Sequence, residues 1–272
     1  MRKAVDKKKK DISDFKEMTN DNSSIVVPFD YKTEIIKNVP SNIKVVAKND
    51  SQAKLINSIK NNQITICRGS AGSGKTYVAL AQALSMLRKA GSTYKKIWLV
   101  KSVTQLEGEE TGFLKGDIKD KFEPYMSSFY LNFEKIIPEA ALRNLINKEI
   151  IKPSPIAFVR GVTIDDSIVI IDETQNIRMN SLKTLMTRIG SNSKYIILGD
   201  TGQIDLKKAE ESSLKPAVEM FVNNTDICVV DMSVTDDNVR NPIIPVIISA
   251  FEEYEKNLKS KSNVSSTKIG KQ

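Results

Sequence analysis

The chain has 272 residues, of which 40% are hydrophobic and 27% are charged, a composition typical of one medium globular domain with tails. It contains no histidine, which excludes Ser-His-Asp and Cys-His catalysis and histidine-ligated metals. No apolar run approaches the roughly 20 residues of a membrane helix, and the lysine-rich start does not resemble a secretory signal. Cys67 and Cys228 lie in apolar strand-like runs. We therefore expect a cytoplasmic protein with no membrane contact.

The formal net charge of +8 is concentrated in two tails. Residues 1–10 carry six basic side chains and one acidic one, and residues 256–272 carry five lysines and no acid. Such tails can hold a nucleic acid backbone through counterion release, or they can simply be solvated. We expect a basic, largely disordered segment at 1–45, a folded domain at 46–256 and a basic tail at 257–272.

Within the domain, helical and strand-like patterns alternate. The strands are short β-branched runs without polar alternation, as expected for parallel strands covered on both faces. In chain order we predict a helix at 51–60, a strand at 63–68, a helix at 77–88, strands at 96–100 and 167–171, a helix at 179–189, a strand at 195–198, a helix at 214–221, a strand at 227–230 and a helix at 246–258. This order predicts an α/β fold with a doubly wound parallel sheet and an insertion at about 103–160.

A phosphate-binding pattern, G-x-x-x-x-G-K-[ST], follows the first predicted strand and opens a helix. Its residues are Gly69, Ser70, Ala71, Gly72, Ser73, Gly74, Lys75 and Thr76. The glycines let successive backbone N–H groups point at one anion, and the helix N-terminus adds its positive dipole end. Lys75 is expected to reach the β- and γ-phosphates, and the Thr76 hydroxyl to ligate Mg²⁺. An ordinary glycine turn before a core helix is the alternative.

Two acids, Asp172 and Glu173, follow the third predicted strand. Ligands bind at the carboxyl ends of parallel strands, so we expect both acids near the phosphate loop. Asp172 would hold Mg²⁺ through its water shell, and Glu173 would orient and polarise an attacking water. A kinase needs no second acid, so the pair favours hydrolysis. Two solvated acids after a core strand are the alternative.

A polar cluster at 199–203 follows the fourth predicted strand, where Asp200 or Gln203 could sense a γ-phosphate; a plain turn is the alternative. Glutamine presents both an acceptor and a donor, which suits an adenine edge. Gln52 lies upstream of the first strand and is a candidate for that contact, as are Gln175 and Asn176. An exposed helix position is the alternative for Gln52.

Taken together, these motifs resemble the PhoH family, single RecA-like P-loop ATPase cores similar to the first motor domain of superfamily 1 helicases. The resemblance covers about 50–250 and rests on residues 49–52 (NDSQ), 69–76, 108–118 (GEETGFLKGDI), 122–125 (FEPY), 158–161 (FVRG), 172–176 (DETQN), 187–190 (TRIG), 199–206 (GDTGQIDL) and 238–240 (NVR). The sequence departs from the family pattern at Thr174, where alanine is usual, and at Val100-Lys101-Ser102, where Thr-Arg-Pro is usual. Lys101 keeps the charge of that arginine but loses its bidentate fork.

The resemblance implies a Mg²⁺-dependent ATPase in which Gln203 senses the γ-phosphate. A single core offers one wall for the nucleotide, so another subunit would complete the site. Arg240 is then the candidate arginine finger acting in trans, and a homo-oligomeric ring is the expected assembly.

Three classes of function remain open at this point: an ATPase motor or remodeller stimulated by RNA or DNA, an ATP-binding regulator or scaffold with slow hydrolysis, and a nucleotide or small-molecule kinase. A kinase should carry an arginine-rich lid, and the 103–160 insertion has only Arg143 and Arg160.

Overall fold

In the computed structural model of the protein, the described residues are 29–102, 118–206, 208–232, 239, 241–251, 253, 254 and 257. The chain divides into two units, Met1–Asp30 and Tyr31–Gln272. All the elements below belong to the second unit. The GEETGFLKGDI segment, apart from its last residue, lies outside the described residues.

Among the described residues, six parallel strands form one sheet. They are β1 (Ile64–Gly69), β2 (Lys96–Lys101), β3 (Ile151–Pro155), β4 (Ser167–Asp172), β5 (Lys194–Gly199) and β6 (Ile227–Met232). Their spatial order is β3-β2-β4-β5-β1-β6, so β5 lies between the strand of the phosphate loop and the strand of the two acids.

Helices cover both faces of this sheet. They are α1 (Tyr31–Asn38), α2 (Asp50–Asn61), α3 (Lys75–Arg88), α4 (Ile118–Phe133), α5 (Glu139–Asn147), α6 (Ile156–Val159), α7 (Met179–Met186) and α8 (Leu214–Phe221). Residues 243–251 are also helical. No helix in the described ranges has the length and apolar character needed to cross a membrane.

Alternate residues of each central strand enter two separate cores. On β4, Ile168 and Ile170 join the core formed with α1 to α5, while Val169 and Ile171 join the core formed with α6 to α8. Every residue of β4 and β5 is buried, which is why these strands lack polar alternation. The predicted doubly wound parallel α/β sheet is confirmed.

The strand register brings the functional motifs to one edge of the sheet. Arg68 near the end of β1 pairs with Gly199 at the end of β5, and Lys101 at the end of β2 pairs with Asp172 at the end of β4. The phosphate loop, the two acids and the polar cluster after β5 all follow these carboxyl ends.

The predicted insertion at 103–160 is largely part of the core. Its helices α4 and α5 bury Phe129, Phe133 and Leu145, and its strand β3 pairs with β2 in the sheet. Pro153 and Pro155 hide the strand pattern in the sequence. An edge strand tolerates proline because one side of its backbone needs no ladder hydrogen bonds, so five predicted strands become six.

The core also reaches further towards the N-terminus than the expected boundary at residue 46. Helix α1 buries Ile35, and Val39 follows it into the same core. The Nε atom of Arg88, on α3, donates to the carbonyl of Val39 at 3.0 Å. Residues 31–39 are therefore a packed part of the domain, although the sequence placed them in the disordered segment.

Candidate functional site

The phosphate loop joins β1 to α3 and depends on two glycines with left-handed backbones. Gly72 has φ of 82° and Gly74 has φ of 84°. A Cβ at Gly74 would lie 2.8 Å from Nε2 of Gln52, so a side chain there would clash as well as strain the backbone. The ammonium of Lys75 donates to the carbonyls of Gly69 at 2.8 Å and Ser70 at 2.9 Å. The lysine is thus folded over the loop that it is predicted to serve.

Gln52 is packed against this loop. Asn49 caps α2 by accepting from the Gln52 N–H at 2.8 Å, which fixes the position of the residue. The Gln52 amide donates to the carbonyl of Ser73 at 2.9 Å and accepts from the Lys48 N–H at 2.9 Å. Gln52 is 3% exposed, so it does not occupy an exposed helix surface. It lines a cleft of 440 Å³ beside the loop, together with Tyr77.

The residues that could bind a metal ion are a hydroxyl and a buried carboxylate that lie next to each other. Thr76, in the first turn of α3, donates to Oδ2 of Asp172 at 2.9 Å. Burial raises the pKa of Asp172, and the neighbouring charge of Glu173 raises it further. The charge of Lys101 and hydrogen bonds from the Glu173 N–H and the Thr76 hydroxyl act in the opposite direction. On balance the pKa of Asp172 is raised, so a cation bound beside this carboxylate would stabilise its ionised form.

This donor set fits Mg²⁺, which prefers oxygen ligands and keeps several of its waters. Among the described residues there is no group of three or more Cys, Asp or Glu side chains that could hold a metal ion. A magnesium ion bound through Asp172, the Thr76 hydroxyl and phosphate oxygens needs no such group.

Gln175 fixes the second acid in place. It donates to Oε2 of Glu173 at 2.6 Å and accepts from the N–H of Asp200 at 2.9 Å. Glu173 has a left-handed backbone with φ of 53°, and its N–H donates to Oδ1 of Asp172 at 3.0 Å. A Cβ at Gly199 would lie 2.6 Å from Cδ2 of Leu214 and 2.7 Å from Oε1 of Gln175, so glycine leaves room for both the core side chain and the bridge. The Glu173 carboxylate is thereby tied to the end of β5.

The suggested adenine contact of Gln175 and Asn176 stays a prediction, and the structure gives both side chains other partners. Both side chains are buried and bonded within the chain. Asn176 donates to Oδ2 of Asp205 at 2.7 Å and accepts from the Asp205 N–H at 2.7 Å. The Gln175 bridge could not be predicted from local sequence patterns, because it depends on β5 lying beside β4.

Gln203 lies in a turn after β5. Its N–H donates to the carbonyl of Asp200 at 3.3 Å, and Oδ1 of Asp200 accepts from the Gly202 N–H at 2.9 Å. The Gln203 side chain is exposed. A sensing role for Gln203 therefore stays a prediction, and Gln175 provides the link between β5 and Glu173.

The segment before the last helix touches the phosphate loop. The Val239 N–H donates to the carbonyl of Gly72 at 3.0 Å, and Val239 lines the same cleft as Gln52. Arg240, the next residue, lies outside the described residues, so its predicted role as an arginine finger is not tested.

Comparison with known proteins agrees with this geometry. The model of the family described as PhoH-like protein matches residues 44–252. The chain belongs to the PhoH-like family. A PhoH-like protein of Bacillus subtilis (strain 168) is 36% identical over 223 residues, which are 82% of this chain and 68% of that protein. Protein PhoH of Escherichia coli (strain K12) is 30% identical over 209 residues, 76% of this chain and 58% of that protein.

Other relatives cover similar shares. A PhoH-like protein of Mycobacterium leprae (strain TN) is 32% identical over 205 residues, 75% of this chain and 58% of that protein. The chain thus spans less than two thirds of the length of several relatives that it matches. The family and the loop geometry make it a P-loop NTPase-type nucleotide-binding protein, built on a parallel α/β sheet.

Solved structures show weaker similarity. The large terminase of the thermophilic bacteriophage D6E aligns with a TM-score of 0.42 and 10% identity over 71% of this chain and 47% of that chain. The Sulfolobus solfataricus SWI2/SNF2 ATPase core in complex with dsDNA aligns with a TM-score of 0.41 and 13% identity over 71% and 46%.

The two departures from the PhoH pattern are both accommodated. Thr174 is buried, its hydroxyl lies 3.5 Å from the carbonyl of Ile171, and its own carbonyl accepts from the Ser213 hydroxyl at 3.3 Å. Lys101 lies at the end of β2, in register with Asp172, and donates to the Ser128 hydroxyl at 3.1 Å. Its positive charge therefore favours the ionised form of the Asp172 carboxylate.

Proposed function

We propose that this PhoH-like protein binds ATP with Mg²⁺ and hydrolyses it. The observation that supports this most directly is the hydrogen-bonded path from Thr76 through Asp172 and Glu173 to Gln175. It places a hydroxyl, a buried carboxylate and an oriented carboxylate in succession next to the phosphate loop.

In this proposal the loop backbone and Lys75 bind the β- and γ-phosphates. The Lys75 ammonium donates hydrogen bonds to two carbonyls of the loop. With a nucleotide bound, it would donate to a phosphate oxygen in place of one of them. Thr76 and Asp172 hold the magnesium ion, which supplies positive charge to the phosphates when it is bound. Glu173, held by Gln175, orients the attacking water and accepts its proton. Gln203 is proposed to sense the γ-phosphate.

Lys75→Ala tests the phosphate site. It should abolish ATP binding and hydrolysis, because the ammonium that meets the phosphates is lost. Lys215→Ala, which removes an exposed lysine of α8, is the matched control and should change neither. ATP binding without measurable hydrolysis in the wild-type protein would make the chain an ATP-binding regulator or scaffold instead.

We also propose that single-stranded RNA or DNA couples to this activity. The support is the two basic tails and an exposed aromatic side chain on the core. Phe158 is 53% exposed on α6, which directly follows the carboxyl end of β3, and Arg160 is exposed two residues later. An exposed aromatic face can stack a base, and the Arg160 guanidinium, which donates to the Ser181 hydroxyl at 3.0 Å, can also bind a phosphate. Single-stranded RNA should then raise the ATPase rate, and removing residues 1–10 and 257–272 should weaken RNA binding and its salt dependence.

The ring assembly and the trans action of Arg240 are part of the same proposal. Its support is the cleft beside Gln52, Tyr77 and Lys135, for which a single core supplies one wall. Arg240→Ala should leave ATP affinity nearly intact and lower turnover by about 10³-fold or more. Mixing Arg240→Ala with Lys75→Ala protein should restore some activity, since intact loops and intact arginines meet in mixed rings. Absence of recovery in rings shown to be mixed would exclude a shared site.

A further inference from the structure

The C-terminal helix presents an uncovered apolar face. Its described residues are 243–251, 253, 254 and 257, and every described residue from Ser249 to Asn257 is exposed. Five large apolar side chains on this helix are between 48% and 65% exposed: Ile243, Val246, Ile247, Phe251 and Tyr254. A helix with this much apolar surface in water is marginal unless another surface covers it.

The spacing of these residues is that of a coiled-coil seam. Ile243, Ile247, Ala250 and Tyr254 follow one another at intervals of four, three and four, the heptad spacing that keeps one stripe facing a partner helix. Val246 and Phe251 flank the stripe. An aromatic side chain alone can bury about 150–250 Å². The five exposed side chains therefore present on the order of 500 Å², more than scattered surface residues do.

We propose that this helix, through its described apolar residues, pairs with the same helix of a second copy of this chain. Two such faces bury on the order of 1,000 Å² together, close to the lower limit for a specific interface. The interval pattern reads the same in both directions. In an antiparallel pair, Ile243 faces Tyr254 and Ile247 faces Ala250, so that a large side chain meets a small one at the centre.

Charge also favours the antiparallel pair. The sequence has glutamate at positions 252, 253 and 255, and Glu253 is an exposed residue of the helix. A parallel pair would bring the two acidic clusters side by side, and an antiparallel pair keeps them apart.

The pairing helix lies close to the nucleotide loop along the chain. It begins at residue 243, four residues after Val239, whose N–H donates to the carbonyl of Gly72. The start of this helix is therefore only four residues along the chain from a contact with the phosphate loop.

The test is the mass of the full chain in solution, by light scattering over a range of concentrations. The wild type should form a dimer or a larger even multiple of the 30.4 kDa chain. Ile247→Glu with Phe251→Glu should halve that mass, because four charges would enter each seam. Met220→Glu with Val222→Glu is the matched control, since these side chains are 61% and 57% exposed elsewhere, and it should keep the wild-type mass. A wild type that is monomeric throughout, or an unchanged mass in the seam variant, would overturn the proposal.

Cross-linking tests the direction of the pair. Ile247→Cys protein mixed with Ala250→Cys protein should form a disulfide-linked dimer faster than either protein alone, because these positions face each other across an antiparallel seam. Equal rates in the mixture and in the separate proteins would contradict the proposed register.

Discussion

Replacing Gln175 with alanine removes the bridge that holds Glu173 to the end of β5. The substitution removes the hydrogen bond that the amide donates to a carboxylate and the one that it accepts from a backbone N–H. Hydrogen bonds to charged groups contribute about 1.5–3 kcal/mol, and neutral ones about 0.5–1.5 kcal/mol. Gln175→Ala should therefore lower the free energy of unfolding by about 2–4.5 kcal/mol. Turnover of the folded protein should also fall, by a factor of about 10², since moving a catalytic group out of position lowers the rate by about that factor.

Asn176→Ala is the matched control for this prediction. Asn176 also donates to a carboxylate and accepts from a backbone N–H, both through Asp205, and is also buried. Its loss should cost a similar unfolding free energy, measured in urea, but should leave the ATPase rate of the folded protein within a few-fold of wild type. Equal losses of turnover in the two variants, at saturating ATP and Mg²⁺, would show that Gln175 acts only through stability.

Three further changes probe other features. Burial lowers the pKa of Lys194 to about 8 from its ordinary value of 10.5, so the unfolded chain binds the additional proton between these values. The free energy of unfolding should rise with pH across that interval, and Lys194→Met should remove this rise in denaturation curves measured from pH 7 to 10. Gly199→Ala should displace both Leu214 and Gln175, and so lower the thermal stability and also the turnover of the protein that stays folded; unchanged turnover would contradict the close approach to Gln175. Phe158→Leu should weaken binding of single-stranded RNA, whereas Phe158→Tyr should preserve it, in fluorescence titrations that would show equal affinities if no base stacks there.

Much of the fold could be predicted from the sequence because the central strands are covered on both faces. Unbroken β-branched runs such as Ile168 to Ile171 have few other interpretations. Strand β3 was not predicted, because Pro153 and Pro155 are tolerated only at a sheet edge. Which strand forms the edge is known only once the sheet is assembled. The burial of Ile35 was not predicted, because the sequence of its short, mostly polar helix does not indicate that it packs against the core.

The candidate site divides in the same way. The loop motif and the Asp172-Glu173 pair are local in sequence, and their association follows from the rule that parallel strands end at one edge. The Gln175 bridge could not be predicted, since it requires β5 to lie next to β4 and Gly199 to leave space for an amide. Propensity and periodicity contain neither fact. The roles of Gln203 and Arg240 stay predictions.

The most direct test of the central claim is ATP hydrolysis by Glu173→Gln, measured as phosphate release alongside ATP binding in the same samples. The substituted amide keeps an oxygen that can accept from Gln175, so the site should retain its shape and bind ATP within a few-fold of the wild type. Because the amide cannot accept a proton, phosphate release should slow by about 10²–10⁴-fold. Phosphate release near the wild-type rate would contradict the assignment of Glu173 as the residue that activates water.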